Sequence, residues 1–476
     1  MKNFLIFFGL IVYHSCLAQD PDQNNFPDRV DQYLQAQSII NNFSGAVLIA
    51  KKDSILFKGG YGIADREWNI PVDTDTKFRI GSNTKQFTAI AILQLEEHGK
   101  LNLTDKLSKF FPGFEYGDIV TIHMLLTHSS GIQDYWQLKE FRNLIPLSVS
   151  KDSLVSIMKS QLFDFLPGKD LIYSNSGYFL LGMIIEKISG QTYEDYITQN
   201  IFNVALMENT GIDNYETILQ KRAKGYETSE TEVVNAFDEN YRIGTLFAVG
   251  SIYSTIDDLY KFDRALYENS ILSEVSKQKM FYAYGFDIEK EKKNEDPANT
   301  APQSIDPLWY HLGYGVWVDT FLTHKRIFSR GYTLGFKSTM YRFLEDNICI
   351  VVLQNNDENP DRIAEPLSAM VFGMDVVIPY KHEPCRINSE ILKKYTGHWQ
   401  GNIYSEKWEI EIFCTNNKLY RRIEGTPDLE LIPESETKFY YSDGQDKVFE
   451  FISNERKEIK DAWFTINGIR FNLIKI

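Results

Sequence analysis

A serine followed three residues later by a lysine, at Ser82 and Lys85, is the spacing in this chain that most directly suggests chemistry. Residues at i and i+3 share one face of a helix, so a helix that begins near Ser82 places the hydroxyl and the amine within reach of each other. A serine hydroxyl becomes an effective nucleophile only when a neighbouring base removes its proton, and burial can lower the pKa of a lysine enough for that role. The pair therefore predicts a nucleophilic serine with its base.

The spacing by itself is common in this chain. Four further copies occur, at Ser148/Lys151, Ser156/Lys159, Ser276/Lys279 and Ser435/Lys438. The copy at Ser82 differs because a short approach segment, residues 78–81, leads into an apolar helical pattern that runs to about His98 and ends at Gly99. A helix N-terminus also helps to stabilise anionic intermediates, which suits a nucleophile at this place.

A second polar group, Tyr173-Ser174-Asn175, lies just before another periodic apolar segment. The apolar residues of that segment recur at helical spacing, and the pattern ends at a glycine: Leu181, Ile184, Ile185, Ile188 and Gly190. A motif in a loop ahead of a buried helix is held rigidly. Taken alone, Tyr173 and Asn175 indicate only a buried tyrosine and a turn asparagine.

Together these residues resemble the serine β-lactamase and penicillin-binding-protein superfamily, specifically its class-C-like branch. Residues 82–85 resemble the Ser-x-x-Lys motif of that family, and residues 173–175 resemble its Tyr-x-Asn motif. Residues 125–131 and 250–255 are similar to stretches found between the family's motifs. The resemblance covers roughly residues 43–356, and the order of the motifs agrees with the family's order.

The resemblance implies an acyl-enzyme formed on Ser82. Lys85 and Tyr173 would act as base and proton relay, and Asn175 would hold Lys85 and contact a substrate amide. The implied substrate is a small molecule or a peptide: a peptide, a D-amino-acid peptide, an ester or a β-lactam. A serine, lysine and tyrosine centre needs no histidine, so His98, His123 and His128 are expected to be structural.

The family's third motif, a lysine or histidine, then a small residue and a glycine, is altered here. The matching triplet is Ser329-Arg330-Gly331, and Ser329 stands where family members usually carry a cation. Arg330 either binds a substrate carboxylate or forms a surface salt bridge. Gly331 would permit close approach of the substrate, and the N–H groups of Tyr332 and Ser82 would form an oxyanion hole.

The altered triplet leaves three functions open. The first is a serine hydrolase, with a peptidase or esterase favoured over a dedicated β-lactamase. The second is a catalytically weak or inactive protein of the same fold that captures penicillin-like ligands as a sensor. The third is a structural protein of the cell envelope.

Composition excludes one class of partner. The chain has 476 residues and a formal net charge of −15, and clustered lysines and arginines that would bind nucleic acid are not found. Spacings of cysteine and histidine typical of zinc sites are also not found, and neither a metal nor a cofactor is expected.

The first eighteen residues have the pattern of a cleaved export signal. Lys2 precedes a short apolar stretch, residues 4–12, and Cys16-Leu17-Ala18 forms a small-x-small cleavage site. The expected location is periplasmic or secreted. An uncleaved anchor and lipid attachment at Cys16 remain alternatives. Further apolar stretches of membrane-spanning length are not found, so a transmembrane span is not expected.

The expected architecture is α+β. Residues 27–378 should form a β-lactamase/transpeptidase-like domain, with an antiparallel sheet flanked by helices and a helical subdomain. Residues 385–476 should form a small lipocalin-like β-barrel, since short strands alternate with turns. The predicted barrel strands are residues 408–413, 418–423, 438–441, 448–452, 462–466 and 469–474. The barrel would either shape substrate access or add stability. Residues 287–307 are predicted to form a surface insertion, either a lid or an inert loop. The oligomeric state is not predicted.

Overall fold

The computed structural model describes residues 25–138, 149–214, 217–228, 232–236, 246–285, 311–404, 406–443, 446–454, 456 and 458–476. The predicted export signal, residues 1–18, and the predicted insertion, residues 287–307, lie outside the described residues.

The strands of the larger unit belong to one main sheet and several small ones. They are β1 Gly45–Lys51, β2 Ser54–Tyr61, β3 Ile63–Asp65, β4 Ile70–Pro71, β5 Phe78–Arg79, β6 Gly211–Ile212, β7 Tyr226–Thr228, β8 Val233–Asn235, β9 Ile252–Ser254, β10 Trp317–Phe321, β11 His324–Thr333, β12 Phe336–Phe343 and β13 Ile348–Gln354. The helices are α1 Phe26–Ile40, α2 Thr84–Glu97, α3 Leu107–Phe110, α4 Ile122–Leu126, α5 Lys151–Lys159, α6 Asn175–Ser189, α7 Tyr193–Ile197, α8 Phe247–Gly250, α9 Ile256–Tyr267, α10 Glu274–Met280, α11 Asp361–Val371 and α12 Ser389–Leu392.

The main sheet is antiparallel and has the strand order β10-β11-β12-β13-β1-β2. β1 lies between β13 and β2, with Gly45 opposite Gln354 and Lys51 opposite Ile348. Both faces of the sheet are buried, because side chains alternate between two apolar layers. Leu48 of β1 packs in the layer that contains α2, whereas Val47 packs in the layer that contains α1 and α11.

Helices α2 and α6 fill the centre of the first layer. Every residue of α2 from Thr84 to Leu95 is buried, so this helix is surrounded by protein on all sides. The residues of α6 from Ser176 to Ile185 are buried as well. Both helices begin at residues of the predicted site, which fixes those residues in the interior of the unit.

The C-terminal strands form a closed antiparallel barrel, β14 to β21. They are β14 Gly397–Ile403, β15 Glu406–Thr415, β16 Lys418–Arg422, β17 Leu429–Pro433, β18 Lys438–Tyr441, β19 Lys447–Ser453, β20 Ile459–Ile466 and β21 Ile469–Lys475. Large side chains such as Trp399, Phe449 and Phe464 are completely or almost completely buried inside it. The barrel interior is therefore a packed core.

The barrel packs on the second layer of the larger unit. Tyr404, at the turn between β14 and β15, packs against Phe321 of β10 with ring centroids 5.5 Å apart. The Tyr404 hydroxyl donates a hydrogen bond to Glu365 of α11 (3.1 Å). Val376 pairs with Ile469 of β21 in an isolated bridge. The barrel and the far face of the main sheet thus share one apolar cluster.

Among the described residues, we find no helix whose length and apolar character would let it cross a membrane.

Candidate active site

Ser82 lies in a single 3₁₀ turn, Gly81–Asn83, between β5 and α2. Gly81 has φ +52°, and a Cβ at this position would lie 2.6 Å from the carbonyl oxygen of Tyr332 and 2.7 Å from its nitrogen. Glycine alone tolerates both the left-handed conformation and this close approach. The backbone of the turn that carries Ser82 therefore packs directly against the end of β11.

Ser82 Oγ has two polar neighbours from different elements. Lys85 Nζ, one helical turn further on, lies 3.0 Å away. The Tyr173 hydroxyl, which precedes α6, donates a hydrogen bond to Ser82 Oγ (2.8 Å). The structure thus brings together the three residues that the sequence predicts to be catalytic.

Lys85 also donates hydrogen bonds to two carbonyl oxygens. One belongs to the side chain of Asn175 (2.9 Å) and the other to the backbone of Val249 (3.0 Å). A neutral amine has two hydrogens and one lone pair, so these two acceptors use both hydrogens. In the neutral form the remaining lone pair is left for Ser82 Oγ, 3.0 Å away, which is the arrangement a base requires.

Electrostatics favour this neutral form. Burial lowers the pKa of Lys85 to about 7, and the nearby carboxylate of Asp134 opposes that shift. Burial raises the pKa of Tyr173, so its phenol is protonated at neutral pH and acts as a hydrogen-bond donor. The site at neutral pH therefore contains a serine between a partly neutral amine and a protonated phenol.

The ring of His128 packs against the ring of Tyr173. The two rings stack with centroids 4.5 Å apart, and Nδ1 of His128 accepts a hydrogen bond from the Ser174 amide (3.1 Å). Burial and the charge of Lys85 lower the pKa of His128 to about 3, so the ring is neutral at physiological pH. The histidine thus acts on the site through its contacts with Tyr173 and the Ser174 amide.

The altered triplet lies on β11 and its side chains alternate between the two faces of the sheet. Ser329 is completely buried, and its hydroxyl accepts a hydrogen bond from Gln86 of α2 (3.0 Å). It does not line the cavity beside Ser82. The Ser329 hydroxyl thus helps to hold α2 against the sheet, and the substrate-binding role that the motif position gives Ser329 stays a prediction.

Arg330 faces the other way and forms an ion pair with Asp361 of α11 (2.5 Å). Asp361 also accepts a hydrogen bond from the Tyr341 hydroxyl (2.7 Å). The guanidinium retains partial exposure and lines the cavity. The salt bridge predicted for Arg330 is thus present, with Asp361 as its partner, and binding of a substrate carboxylate by Arg330 stays a prediction.

Gly331 and Tyr332 lie where the turn meets the strand. A Cβ on Gly331 would approach the Ile80 carbonyl oxygen to 1.7 Å, so only glycine fits at this position. Both residues line the same cavity as Ser82. The backbone of Tyr332 and the turn of Ser82 are adjacent, as an oxyanion hole made from their N–H groups requires.

The cavity that contains Ser82 has a volume of about 790 Å³. Its described lining is mainly apolar and aromatic, with Trp136, Leu246, Trp317, Leu334 and Pro360. Arg330 and Lys337 are its charged residues, and carboxylate side chains and barrel residues are not among the described lining. The barrel therefore does not shape the described walls of this cavity.

Sequence reasoning missed the residues that surround Lys85. Asp134, Trp136 and Val249 either contact the catalytic groups or line the cavity. Asp134 follows closely after the family-like stretch of residues 125–131, which was the available signal. Within the described ranges, we find no group of three or more histidine, cysteine or acidic side chains arranged to hold a metal ion.

The fold and the site are those of a serine hydrolase, and comparison with known proteins identifies the family. The family model described as Beta-lactamase matches residues 30–371. The chain belongs to this family, and it is a serine hydrolase. The predicted fold class is confirmed: a β-lactamase/transpeptidase fold followed by a closed barrel.

Two curated relatives illustrate the family. Penicillin-binding protein 4* of Bacillus subtilis (strain 168) is 30% identical over 420 residues, which cover 84% of this chain and 88% of that protein. Teichoic acid D-alanine hydrolase of Staphylococcus aureus (strain NCTC 8325 / PS 47) is 28% identical over 268 residues. That match covers 54% of this chain and 64% of the length of the hydrolase.

Solved structures show the same fold. The octameric penicillin-binding protein homologue from Pyrococcus abyssi has a TM-score of 0.63 and 26% identity, over 94% of this chain and 99% of that one. D-amino acid amidase from Ochrobactrum anthropi SV3, complexed with L-phenylalanine amide, has a TM-score of 0.60 and 22% identity, over 74% and 99% of the two chains. The first likeness extends across the C-terminal barrel as well as the hydrolase unit.

Proposed function

We propose that this protein is an exported hydrolase that forms an acyl-enzyme on Ser82 and acts on peptides, D-amino-acid peptides, esters or β-lactams. The observation that carries the proposal is that Ser82 Oγ lies within hydrogen-bond distance of both Lys85 Nζ and the Tyr173 hydroxyl. A peptidase or esterase is favoured over a dedicated β-lactamase, because the usual cation of the third motif is replaced by the buried Ser329.

Acylation begins when the lone pair of Lys85 takes the proton of Ser82. The serine oxygen attacks the substrate carbonyl, a C–O bond forms, and the negative charge develops on the carbonyl oxygen beside the N–H groups of Ser82 and Tyr332. As the bond to the leaving group breaks, the Tyr173 phenol donates its proton to that group. The proton on Lys85 then passes to the phenolate, which restores both residues.

Deacylation runs through the same groups in reverse. Water takes the place of the leaving group and loses its proton to the tyrosine and lysine pair, and Ser82 recovers its proton as the acyl group departs. The apolar walls of the cavity limit the water around the reacting atoms, which strengthens each of these hydrogen bonds.

Replacement of the nucleophile tests the proposal. In a Ser82→Ala variant, labelling by a fluorophosphonate probe or by penicillin should be lost, and hydrolysis of activated esters should fall at least about 10³-fold. The matched control is Ser156→Ala, which removes the serine of another Ser-x-x-Lys copy on α5. If the Ser82 variant is still labelled or keeps its activity, the proposal is wrong.

The second candidate is a protein that captures a penicillin-like ligand and turns over slowly or not at all. The position of Ser329 and the ion pair of Arg330 favour it, since neither supplies a free cation at the third motif. Intact-mass spectrometry separates the two functions. A penicillin adduct that persists for hours indicates capture, whereas an adduct that disappears while product accumulates indicates a hydrolase.

A further inference from the structure

We infer that Asp134 is a positioning residue of the active site: it fixes the orientation of the Asn175 amide and thereby directs the lone pair of Lys85 at Ser82. The inference rests on the proposed function and assigns a role to a residue that neither Ser-x-x-Lys nor Tyr-x-Asn contains. Asp134 is 8% exposed and lies immediately before the turn Tyr135–Gln137.

The contacts of Asp134 form a chain that ends at the nucleophile. One carboxylate oxygen accepts a hydrogen bond from the Asn175 side-chain nitrogen (3.0 Å), and the other accepts one from the Trp136 amide (3.1 Å). The Asn175 side-chain oxygen then faces Lys85 Nζ at 2.9 Å. Lys85 Nζ lies 3.0 Å from Ser82 Oγ.

The orientation of the asparagine amide follows from the chemistry of its partners. An ionised carboxylate accepts hydrogen bonds and cannot donate them, so Asn175 must turn its NH₂ group toward Asp134. Its oxygen is then the atom that faces Lys85. With the amide reversed, Asn175 would present N–H groups to Lys85, and the lysine lone pair would be drawn away from Ser82.

Asp134 also acts on Lys85 through its charge. Among the described residues, the titratable groups that face Lys85 are the carboxylate of Asp134, the phenols of Tyr173 and Tyr178, and the imidazole of His128. The phenols and the imidazole are neutral at pH 7, because burial raises the pKa of both tyrosines and lowers that of the histidine. Asp134 is therefore the charged partner that favours the protonated form of Lys85.

Positioning of Asn175 by Asp134 affects the plateau rate, whereas the charge of Asp134 affects the pH at which the rate rises, and one pH profile measures both. In Asp134→Asn, the amide of residue 134 can donate toward Asn175, so the plateau rate of Ser82 acylation should fall about 10- to 100-fold. Loss of the negative charge should lower the pKa of Lys85 further. Since only the neutral lysine is a base, the acidic limb of the pH profile should move to lower pH by about half a unit or more.

The measurement is the rate of fluorophosphonate labelling of Ser82 between pH 5 and 9 in the full chain. Asp134→Ser should move the limb in the same direction as Asp134→Asn, and Asp134→Glu should keep it near the wild-type position. Asp258→Asn is the matched control, because Asp258 is a completely buried carboxylate outside the site.

Each outcome decides the inference. A plateau that stays at the wild-type rate in Asp134→Asn would overturn it. A lower plateau with the limb unmoved in both Asp134→Asn and Asp134→Ser would make Asp134 merely structural and would also overturn it. A limb that moves equally in Asp258→Asn would also overturn it. A wild-type protein that is not labelled at Ser82 at any pH would instead contradict the proposed function itself.

Discussion

The protonation state of Lys85 decides whether Ser82 can react. Burial favours the neutral form of the amine, whereas the charge of Asp134 favours the protonated form. The resulting pKa of about 7 lies close to physiological pH. A base with such a pKa is present in useful amounts and still accepts a proton readily. The balance between burial of Lys85 and the charge of Asp134 thus controls the reactivity of one hydroxyl.

The pH dependence of kcat/KM should report this balance. Below about pH 7 Lys85 is protonated and cannot act as a base, so activity should rise with pH through an apparent pKa of about 7 and then reach a plateau. Lys85→Arg should lose at least about 10³-fold at every pH, because a guanidinium remains charged. A full pH profile with a neutral ester measures both. A wild-type rate that is flat from pH 5 to 9 would contradict this assignment.

At this scale the sequence predicted much of the site. Ser82, Lys85, Tyr173 and Asn175 follow from motif spacing and from the apolar helices behind them. Asp134 does not, because its contact with Asn175 joins residues 41 positions apart and depends on how a loop folds over α6. The motif locates Ser329 on β11, but it does not reveal that the hydroxyl is hydrogen-bonded to Gln86 of α2.

Among the elements, the junction of the turn Gly81–Asn83 with β11 determines the geometry of the site. The contacts are backbone to backbone, with Gly81 against Tyr332 and Gly331 against Ile80. Such contacts leave no flexible side chain that could move aside. The position of Ser82 relative to the strand is therefore fixed by the absence of two Cβ atoms.

Gly81→Ala should damage activity more than stability. The new Cβ would lie 2.6 Å from the Tyr332 carbonyl oxygen, so the turn must shift and Ser82 must leave its place between Lys85 and Tyr173. We expect kcat/KM to fall at least about 100-fold, and the free energy of unfolding to fall by about 1–3 kcal/mol. Ester kinetics and urea denaturation measure the two effects.

Gly99→Ala is the matched control for that variant. Gly99 has φ +65°, and a Cβ there would have no atom within 4 Å. The control thus carries the strain of a left-handed alanine without the collision. Equal losses of activity in the two variants would contradict the role assigned to the junction.

The elements of the barrel show where pattern reasoning fails. The six strands predicted from alternation and turns coincide with strands of the structure, and the two missed strands are β14 Gly397–Ile403 and β17 Leu429–Pro433. β14 contains Gly397 and Gly401, which weaken its pattern, and a Cβ on Gly401 would approach the Asn472 carbonyl oxygen to 2.4 Å. Its strand character comes from barrel closure, which no local window of sequence contains.

At the scale of the whole molecule, the position of the barrel bears on whether the barrel shapes substrate access or adds stability. The barrel packs on the face of the main sheet opposite α2, through α11 and the strand end near Phe321. Its described residues are not among those that line the cavity of Ser82. Support of the far face is therefore the role that its position favours, and control of substrate access is not supported by the described lining.

Tyr404 is the side chain that tests this support. Its ring packs between Phe321 of the sheet and Phe471 of the barrel, with centroids 5.5 and 5.1 Å away. Tyr404→Ala should reduce the free energy of unfolding by roughly 2–3 kcal/mol, because a half-buried aromatic ring that bridges the two units is removed. Tyr404→Phe, which loses the hydrogen bond to Glu365, should cost about 1 kcal/mol.

Urea denaturation and ester hydrolysis are the measurements for these two variants. Tyr420→Phe is the control: Tyr420 lies on β16 with its ring stacked on Phe413, and we find no hydrogen bond of its hydroxyl among the described residues. Under conditions where the fold remains intact, kcat/KM should stay within about threefold of wild type. A selective loss of activity without loss of stability would instead show that the barrel acts on the catalytic site.

The place of β1 within the main sheet has a consequence for how the chain reaches its native state. β1 pairs with β13 from Gly45 opposite Gln354 to Lys51 opposite Ile348, so the middle of the sheet joins strands about 300 positions apart. During synthesis the sheet cannot close until residue 354 has been made. Pairing at such separation carries a large loop-closure cost and slows folding. One edge of the apolar strand β1 thus stays unpaired until β13 has been synthesised. Until then the chain depends on protection from aggregation.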